Sequence, residues 1–185
     1  MPLFRRAPPP EALSAAMAGV KMGDRLLFAG GDDLRLVLEL ASRSGLSGRV
    51  VLLAPSADVA KSRASRAEQE GALVEPAHAP LTMLPFDSAS FDVAVAEETL
   101  MALGAADRRG ALSELLRVVR PGGRLLWIEK QPRGGLFRLA SAERTAIDSP
   151  ALEQMLRDAG FRGVRTFAAV QGRTYVEGTK AAAGN

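Results

Sequence analysis

The chain of 185 residues contains no cysteine, which removes disulfides, thiolate zinc sites and cysteine nucleophiles together. It has one histidine, His78, too few for a multi-histidine metal centre or a facial triad. No apolar run approaches the ~20 residues needed to span a membrane, and the opening MPLFRRAPPPEALS lacks the apolar centre of a signal peptide. A cytoplasmic location without a membrane partner is therefore the expectation. Excess charge of one sign is also missing. The sequence pI is 9.8, yet the formal net charge is only +3, because arginine is used heavily over lysine. That balance does not point to nucleic acid as a partner. What remains is ordinary: 47% hydrophobic and 24% charged residues, suited to one globular domain.

Residues 1–10, with Arg5, Arg6 and Pro8-Pro9-Pro10, read as a flexible N-terminal arm, and 181–185 as a disordered tail; 11–180 form the domain. A helix is expected from Glu11 to the turn signal at Gly23-Asp24. Arg25 to Ala29 reads as a strand buried on both faces, broken by Gly30-Gly31. Asp32 or Asp33 can cap a helix that places Leu34, Val37, Leu38 and Ala41 on one face. Arg49 to Leu53 is a second buried strand, Ala57 to Glu70 a helix with Ser56 as N-cap, and Ala72 to Glu75 a weaker strand. Phe91 to Val95 is a fourth strand, and Asp107 to Val119 a helix with Ala111, Leu112, Leu115, Val118 and Val119 inward. Pro121-Gly122-Gly123 is expected to end that helix before a fifth strand at Arg124 to Ile128. Ser149-Pro150 opens a last helix carrying Leu152, Met155 and Leu156, closed by Gly160. Two strands near 164–170 and 173–178 follow without a helix between them.

Apolar strands alternating with helices imply a parallel sheet covered on both sides. The fold class is α/β, a doubly wound, mostly parallel seven-stranded sheet ending in an antiparallel hairpin. Ligands of such sheets bind at the carboxyl ends of the strands. Gly30-Gly31 can bring backbone close to a ligand there or simply turn the chain into the capped helix. Glu97-Glu98 falls on the same edge, as a general base for a substrate or as solvated carboxylates. His78 is read in the loop after the third strand and Trp127 in the core. Lys130, Arg133, Arg138 and Arg144 form a basic connection whose only interleaved aromatic is Phe137, which reads as a solvated loop.

Four stretches carry a family resemblance. They are Ala18 to Leu27 (AGVKMGDRLL), Leu84 to Val93 (LPFDSASFDV), Glu114 to Gly123 (ELLRVVRPGG) and Leu152 to Phe161 (LEQMLRDAGF). In this order and on these elements they resemble the class I S-adenosylmethionine-dependent methyltransferases, in the small-molecule, ubiquinone-biosynthesis-like branch. The resemblance covers about Glu11 to Lys180 and implies a Rossmann-like fold, S-adenosylmethionine as cofactor and a small-molecule substrate. It implies cofactor-binding positions at Phe28, Gly30, Gly31, Asp32, Ala54, Pro55, Pro80, Leu81 and Glu97.

The chain departs from the family's pattern where the cofactor should be anchored. Relatives end the first strand with Asp or Glu before a G-x-G-x-G turn; here Phe28 stands at the acidic position, and Asp32 and Leu34 replace the later glycines. The second-strand acid that takes the ribose hydroxyls is matched by Ala54, and the adenine-binding Asp by Pro80. A hydrogen bond to a charged group contributes about 1.5–3 kcal/mol, and ~1.4 kcal/mol is tenfold in affinity. Loss of three such anchors would carry a micromolar site toward millimolar unless other groups substitute. Asp32 would also place a carboxylate near that of the cofactor. A nicotinamide-binding fold is excluded by the missing G-x-G-x-x-G and second-strand acid. Two readings follow: a small-molecule methyltransferase working by proximity and orientation, or a catalytically inactive pseudoenzyme that binds a protein partner. In neither does the sequence single out a catalytic residue or a metal ligand.

Overall fold

The computed structural model describes residues 9–31, 33–130 and 149–182. The N-terminal arm up to residue 8, Asp32, the basic connection at 131–148 and the last three residues lie outside them. The elements run α1 (Pro10–Ala18), β1 (Arg25–Gly30), α2 (Leu34–Ser44), β2 (Arg49–Ala54), α3 (Ala57–Gln69) and β3 (Glu75–His78). They continue as β4 (Phe91–Glu97), α4 (Ala105–Val118), β5 (Val119–Lys130), α5 (Ser149–Asp158), β6 (Arg162–Val170) and β7 (Arg173–Thr179). One seven-stranded sheet has the order β3-β2-β1-β4-β5-β7-β6. β1 to β5 pair in parallel, and β7 lies antiparallel to both β5 and β6. This is the expected α/β sheet with its C-terminal hairpin.

Alternation along each strand sends successive side chains to opposite faces, and both faces are apolar. Leu27, Val51, Ala94, Leu125 and Trp127 meet Ala111, Leu112 and Leu115 of α4 and Leu152 and Leu156 of α5. Leu26, Phe28, Val50, Leu52, Val95 and Ile128 meet Ala15 and Ala18 of α1, Leu36, Val37 and Leu40 of α2, and Ala60 of α3. Burying one such large side chain contributes about 1.5–3 kcal/mol, so the two layers hold helices against both faces of the sheet. Asp33 caps α2 by accepting from Leu36 N at 3.2 Å, and Ser56 caps α3 by accepting from Val59 N at 3.2 Å.

Several expected details are corrected. Val37 is buried on α2 as expected, but together with Leu36, Leu40 and Ser44 rather than with Leu34, Leu38 and Ala41, which are half-buried; tertiary packing rotates the helix so that Ser44 Oγ donates to Asp24 O at 2.8 Å. The third strand is Glu75–His78, three residues later than expected, because the chain is still leaving α3 at Ala72, whose N–H bonds Ala67 O. Pro76 is tolerated in β3 because this is an edge strand with no ladder partner on its outer side. Helix α4 ends at Val118, and Val119 already pairs with Phe91 as the first residue of β5. Pro121-Gly122-Gly123 therefore lies inside β5, in a bulge between the Phe91–Val119 and Val93–Arg124 pairs. Gly123 is needed there: a Cβ would lie 2.7 Å from Asp92 O.

The LPF segment has a structural explanation. Leu84 N donates to Glu114 Oε2 at 2.8 Å, and Arg117 donates to Phe86 O at 2.8 Å and Leu84 O at 3.0 Å. Phe86 packs edge-on against Phe91, with ring centroids 5.1 Å apart. The loop is thus clipped to α4 ahead of β4.

Candidate functional site

Helix α2 carries the chain from β1 outward to β2 on one face, and α4 carries it from β4 to β5 in the other direction on the opposite face. The switch point lies between β1 and β4, where diverging connections leave a crevice at the carboxyl edge. In the register Gly30 faces Glu97, and Gly31 N donates to Glu97 O at 3.1 Å. The Gly30-Gly31 turn and the end of β4 are thereby held side by side, directly before the first turn of α2.

Phe28 belongs to the core beneath this turn. It is fully buried, and its Cζ would lie 2.5 Å from a Cβ at Gly30. Gly30 is required by the ring below it. Leu34 is half-buried and, with Gly31, Val37, Leu52, Arg63 and Arg66, lines a cavity of about 80 Å³. Ligand pockets are generally on the order of 300 Å³ or more, so this cavity is smaller than a ligand needs. Arg63 Nη1 donates to Gly30 O at 2.9 Å and Gly31 O at 2.8 Å.

Glu97 is not a solvated carboxylate, as a strand-end acid would be by default. It is the last residue of β4 and only 1% exposed. Its Oε1 accepts from Arg173 Nη1 at 2.8 Å, and Arg173 Nη2 donates to Asp33 Oδ2 at 3.1 Å. Ser14, on the buried face of α1, lies 3.5 Å from Arg173 Nη1 and 3.0 Å from Tyr175 OH. Among the described residues Glu97 Oε2 and Thr99 Oγ1 are buried without a hydrogen-bond partner, both in the stretch that leaves β4. Burial pushes the Glu97 carboxyl up to about 7; Arg173 opposes the shift, Asp33 and Glu98 add to it, and Lys130 opposes it weakly. Glu98, at φ +54°, is held by Lys130 Nζ at 2.7 Å. Burial also raises Glu129, which accepts from Trp127 Nε1 at 2.8 Å and Met101 N at 3.2 Å.

The other expected positions form a second group along the same edge. Ala54 ends β2 and is buried, so it offers the crevice no polar side chain. His78 is the last residue of β3 rather than part of a loop; its Nδ1 lies 3.3 Å from Ala54 O. Pro55 and Pro80 are exposed, Leu81 is half-buried, and Pro80 O closes a turn by accepting from Met83 N at 3.0 Å. The structure therefore brings Gly30, Gly31 and Glu97 together and leaves Ala54 at the end of β2 and Pro55, Pro80 and Leu81 in the connections after β2 and β3. Sequence reading missed Arg173, Arg63, Ser14 and the second role of Asp33. Arg63 carried a faint signal, lying three residues from buried Ala60 on α3. Arg173 carried none, because its partners are 76 and 140 residues away. Among the described residues no cluster of three metal-ligating side chains occurs, and no helix is long and apolar enough to cross a membrane.

Comparison with known proteins agrees with this architecture. The methyltransferase domain family matches residues 31–127. A ubiquinone/menaquinone biosynthesis C-methyltransferase of Bordetella parapertussis is 29% identical over 85% of this chain and 70% of its own length. One from Teredinibacter turnerae is 32% identical over 67% of this chain and half of its own. A SAM-dependent methyltransferase from Aquifex aeolicus has the same fold, with a TM-score of 0.74 at 20% identity over 92% of this chain and 93% of that one. The [4+2]-cyclase SpnF gives 0.73 at 20% identity over 94% and 81%. The methyltransferase match extends over just over half of the residues, and the switch-point crevice lies where such a sheet takes its ligand. The chain belongs to the class I S-adenosylmethionine-dependent methyltransferase family.

Proposed function

We propose that this protein binds S-adenosylmethionine over the Gly30-Gly31 turn and transfers its methyl group to a small molecule, with carbon as the acceptor atom. The carrying observation is the convergence, at the switch point, of a glycine turn, a helix start and a buried carboxylate with one oxygen unpartnered. The residues fit the amino-acid end of the cofactor. Gly31 puts no side chain over Glu97, where an added Cβ would sit in contact with Oε2 at 3.7 Å. They fit the adenosine end differently from the family's pattern, since Ala54, Pro55, Pro80 and Leu81 give apolar and backbone surface in place of two carboxylates. Carbon is inferred from the printed activity of the curated relatives.

Once bound, S-adenosylmethionine supplies an electrophilic methyl on a sulfonium. The protein's part is then to hold and align the reactants, and proximity and orientation account for most of the rate such a step needs. Glu97, Arg173 and Asp33 form a fixed polar floor. Arg63 and Arg66 are long enough to move aside and admit a ligand larger than the 80 Å³ cavity they line. The fold alone does not establish methyl transfer, since the same architecture serves a [4+2]-cyclase.

Isothermal titration with S-adenosylmethionine and S-adenosylhomocysteine tests the reading. Micromolar binding supports it and shows that other groups replace the carboxylates absent at Phe28, Ala54 and Pro80. No heat at millimolar ligand overturns it and returns the chain to the pseudoenzyme reading, with a protein partner to be sought.

A further inference from the structure

Glu97 and Asp33 are two carboxylates sharing one guanidinium. Arg173 gives one nitrogen to each, at 2.8 and 3.1 Å, and its side chain is only 11% exposed. When Glu97 is ionised the cluster carries one negative charge too many, beneath a surface with little water to screen it. The other cation whose charge acts on Glu97, Lys130 of β5, is engaged by Glu98. The excess sits on the one oxygen that accepts nothing. A buried unpartnered carboxylate oxygen costs about as much as a lost charged hydrogen bond, and such groups call for a missing partner. Gly31 puts no side chain over Oε2, since a Cβ there would lie 3.7 Å from it.

We infer that Glu97 Oε2 accepts the ammonium group of the cofactor's amino-acid end, so that the anchor missing from β1 at Phe28 is supplied from β4, the adjacent strand. The inference rests on the proposed cofactor reading. Arg173 acts as a positioning residue: it fixes the Glu97 carboxylate through Oε1 and leaves Oε2 for the ligand. Three kinds of group face Glu97: Arg173 of β7, Asp33 at the start of α2, and Glu98 with Lys130 at the ends of β4 and β5. None of them presents a free donor to Oε2. Because the carboxyl is held near neutrality, an arriving ammonium should favour its ionised form and expel a proton.

The experiment compares two probes, S-adenosylhomocysteine, which carries the ammonium but no sulfonium, and 5′-methylthioadenosine, which lacks the amino-acid end. Titrations of the full chain and of Glu97→Gln are run near pH 7 in buffers of different ionisation enthalpy. Glu97→Gln is expected to bind S-adenosylhomocysteine about tenfold to a hundredfold more weakly and 5′-methylthioadenosine unchanged. The wild type should release a fraction of a proton with the first probe only, and the variant none. Equal affinity of wild type and variant for S-adenosylhomocysteine overturns the assignment while leaving the cofactor reading intact. A wild type that binds neither probe overturns both. Gly31→Ala keeps Glu97 and places its Cβ at an ordinary contact distance of 3.7 Å from Oε2. It should weaken S-adenosylhomocysteine alone, and unchanged affinity there overturns the assignment even if Glu97→Gln does not fold.

Discussion

The two edges of the sheet handle charge in opposite ways. At the amino edge, carboxylates are exposed or half-buried and saturated by arginines. Asp92 takes Arg25 N at 2.7 Å, the Arg25 side chain at 3.4 Å and Arg120; Glu75 takes Arg49 in a fork at 2.7–3.0 Å; Glu114 takes Arg117 and Leu84 N. The paired guanidinium of Arg49 holds Glu75 below its ordinary value, and that of Arg117 does the same for Glu114; at Asp92 two arginines outweigh its desolvation. At the carboxyl edge Glu97 is buried, half-partnered and raised to about 7. Charge at the first edge clips strand starts and loops together. At the second it is left incompletely satisfied, which is the arrangement expected where a ligand completes the structure.

The sharpest way to break this contrast is Arg173→Met. It leaves Glu97 and Asp33 buried or half-buried without their cation, and loss of one partner of a buried pair costs about 3–5 kcal/mol. Urea unfolding at pH 8 should show a loss of that order; under ~1 kcal/mol would mean the carboxyl-edge pair behaves like a surface one. The double variant Glu97→Met/Arg173→Met should recover part of the loss, because it removes the uncompensated charge as well.

The pH dependence should separate the two edges by sign. Glu97 has a folded value above its unfolded 4.5, so the native state binds the extra proton between about 4.5 and 7. Its stabilisation is complete below 4.5 and is lost as pH rises through 7, a fall of about 3 kcal/mol at ~1.4 kcal/mol for each pH unit. Asp92, Glu75 and Glu114 are lowered, so their contribution is present above their unfolded values and disappears as acid reaches the folded ones. Unfolding of Glu97→Gln across pH 2–8 should lack the first slope and keep the second. A wild-type slope that survives in the variant assigns it to another group.

Asp92→Asn should have the smallest effect. Its partners Arg25 and Arg120 are 45% and 44% exposed, and such pairs contribute about 1 kcal/mol or less and are screened by salt. A loss above ~2 kcal/mol that persists in high salt would show that the amino-edge clip fixes the β4–β5 bulge rather than merely decorating it.

Local chemistry in the sequence was enough for most of the fold. Apolar runs such as Val50 to Leu53 and Leu125 to Ile128 were readable as strands buried on two faces, and Ser56 and one of Asp32 or Asp33 as caps, because both signals lie within a few residues. Failures came where a partner elsewhere set the outcome. Helix α2 turned toward Leu36 and Leu40 because β1 and α1 lie on that side, and Gly123 sits inside a strand because Asp92 O passes close by.

The sequence by itself determined the family, the order of elements and the glycine turn at the end of the first strand. It also showed that the acids usual at Phe28, Ala54 and Pro80 are missing. Only the tertiary structure decided that Glu97 is buried, that Arg173 and Asp33 meet it, and that one of its oxygens is left open. The physical reason is range: capping, propensity and periodicity act over a few residues, whereas burial and charge pairing depend on groups that only the folded sheet brings together.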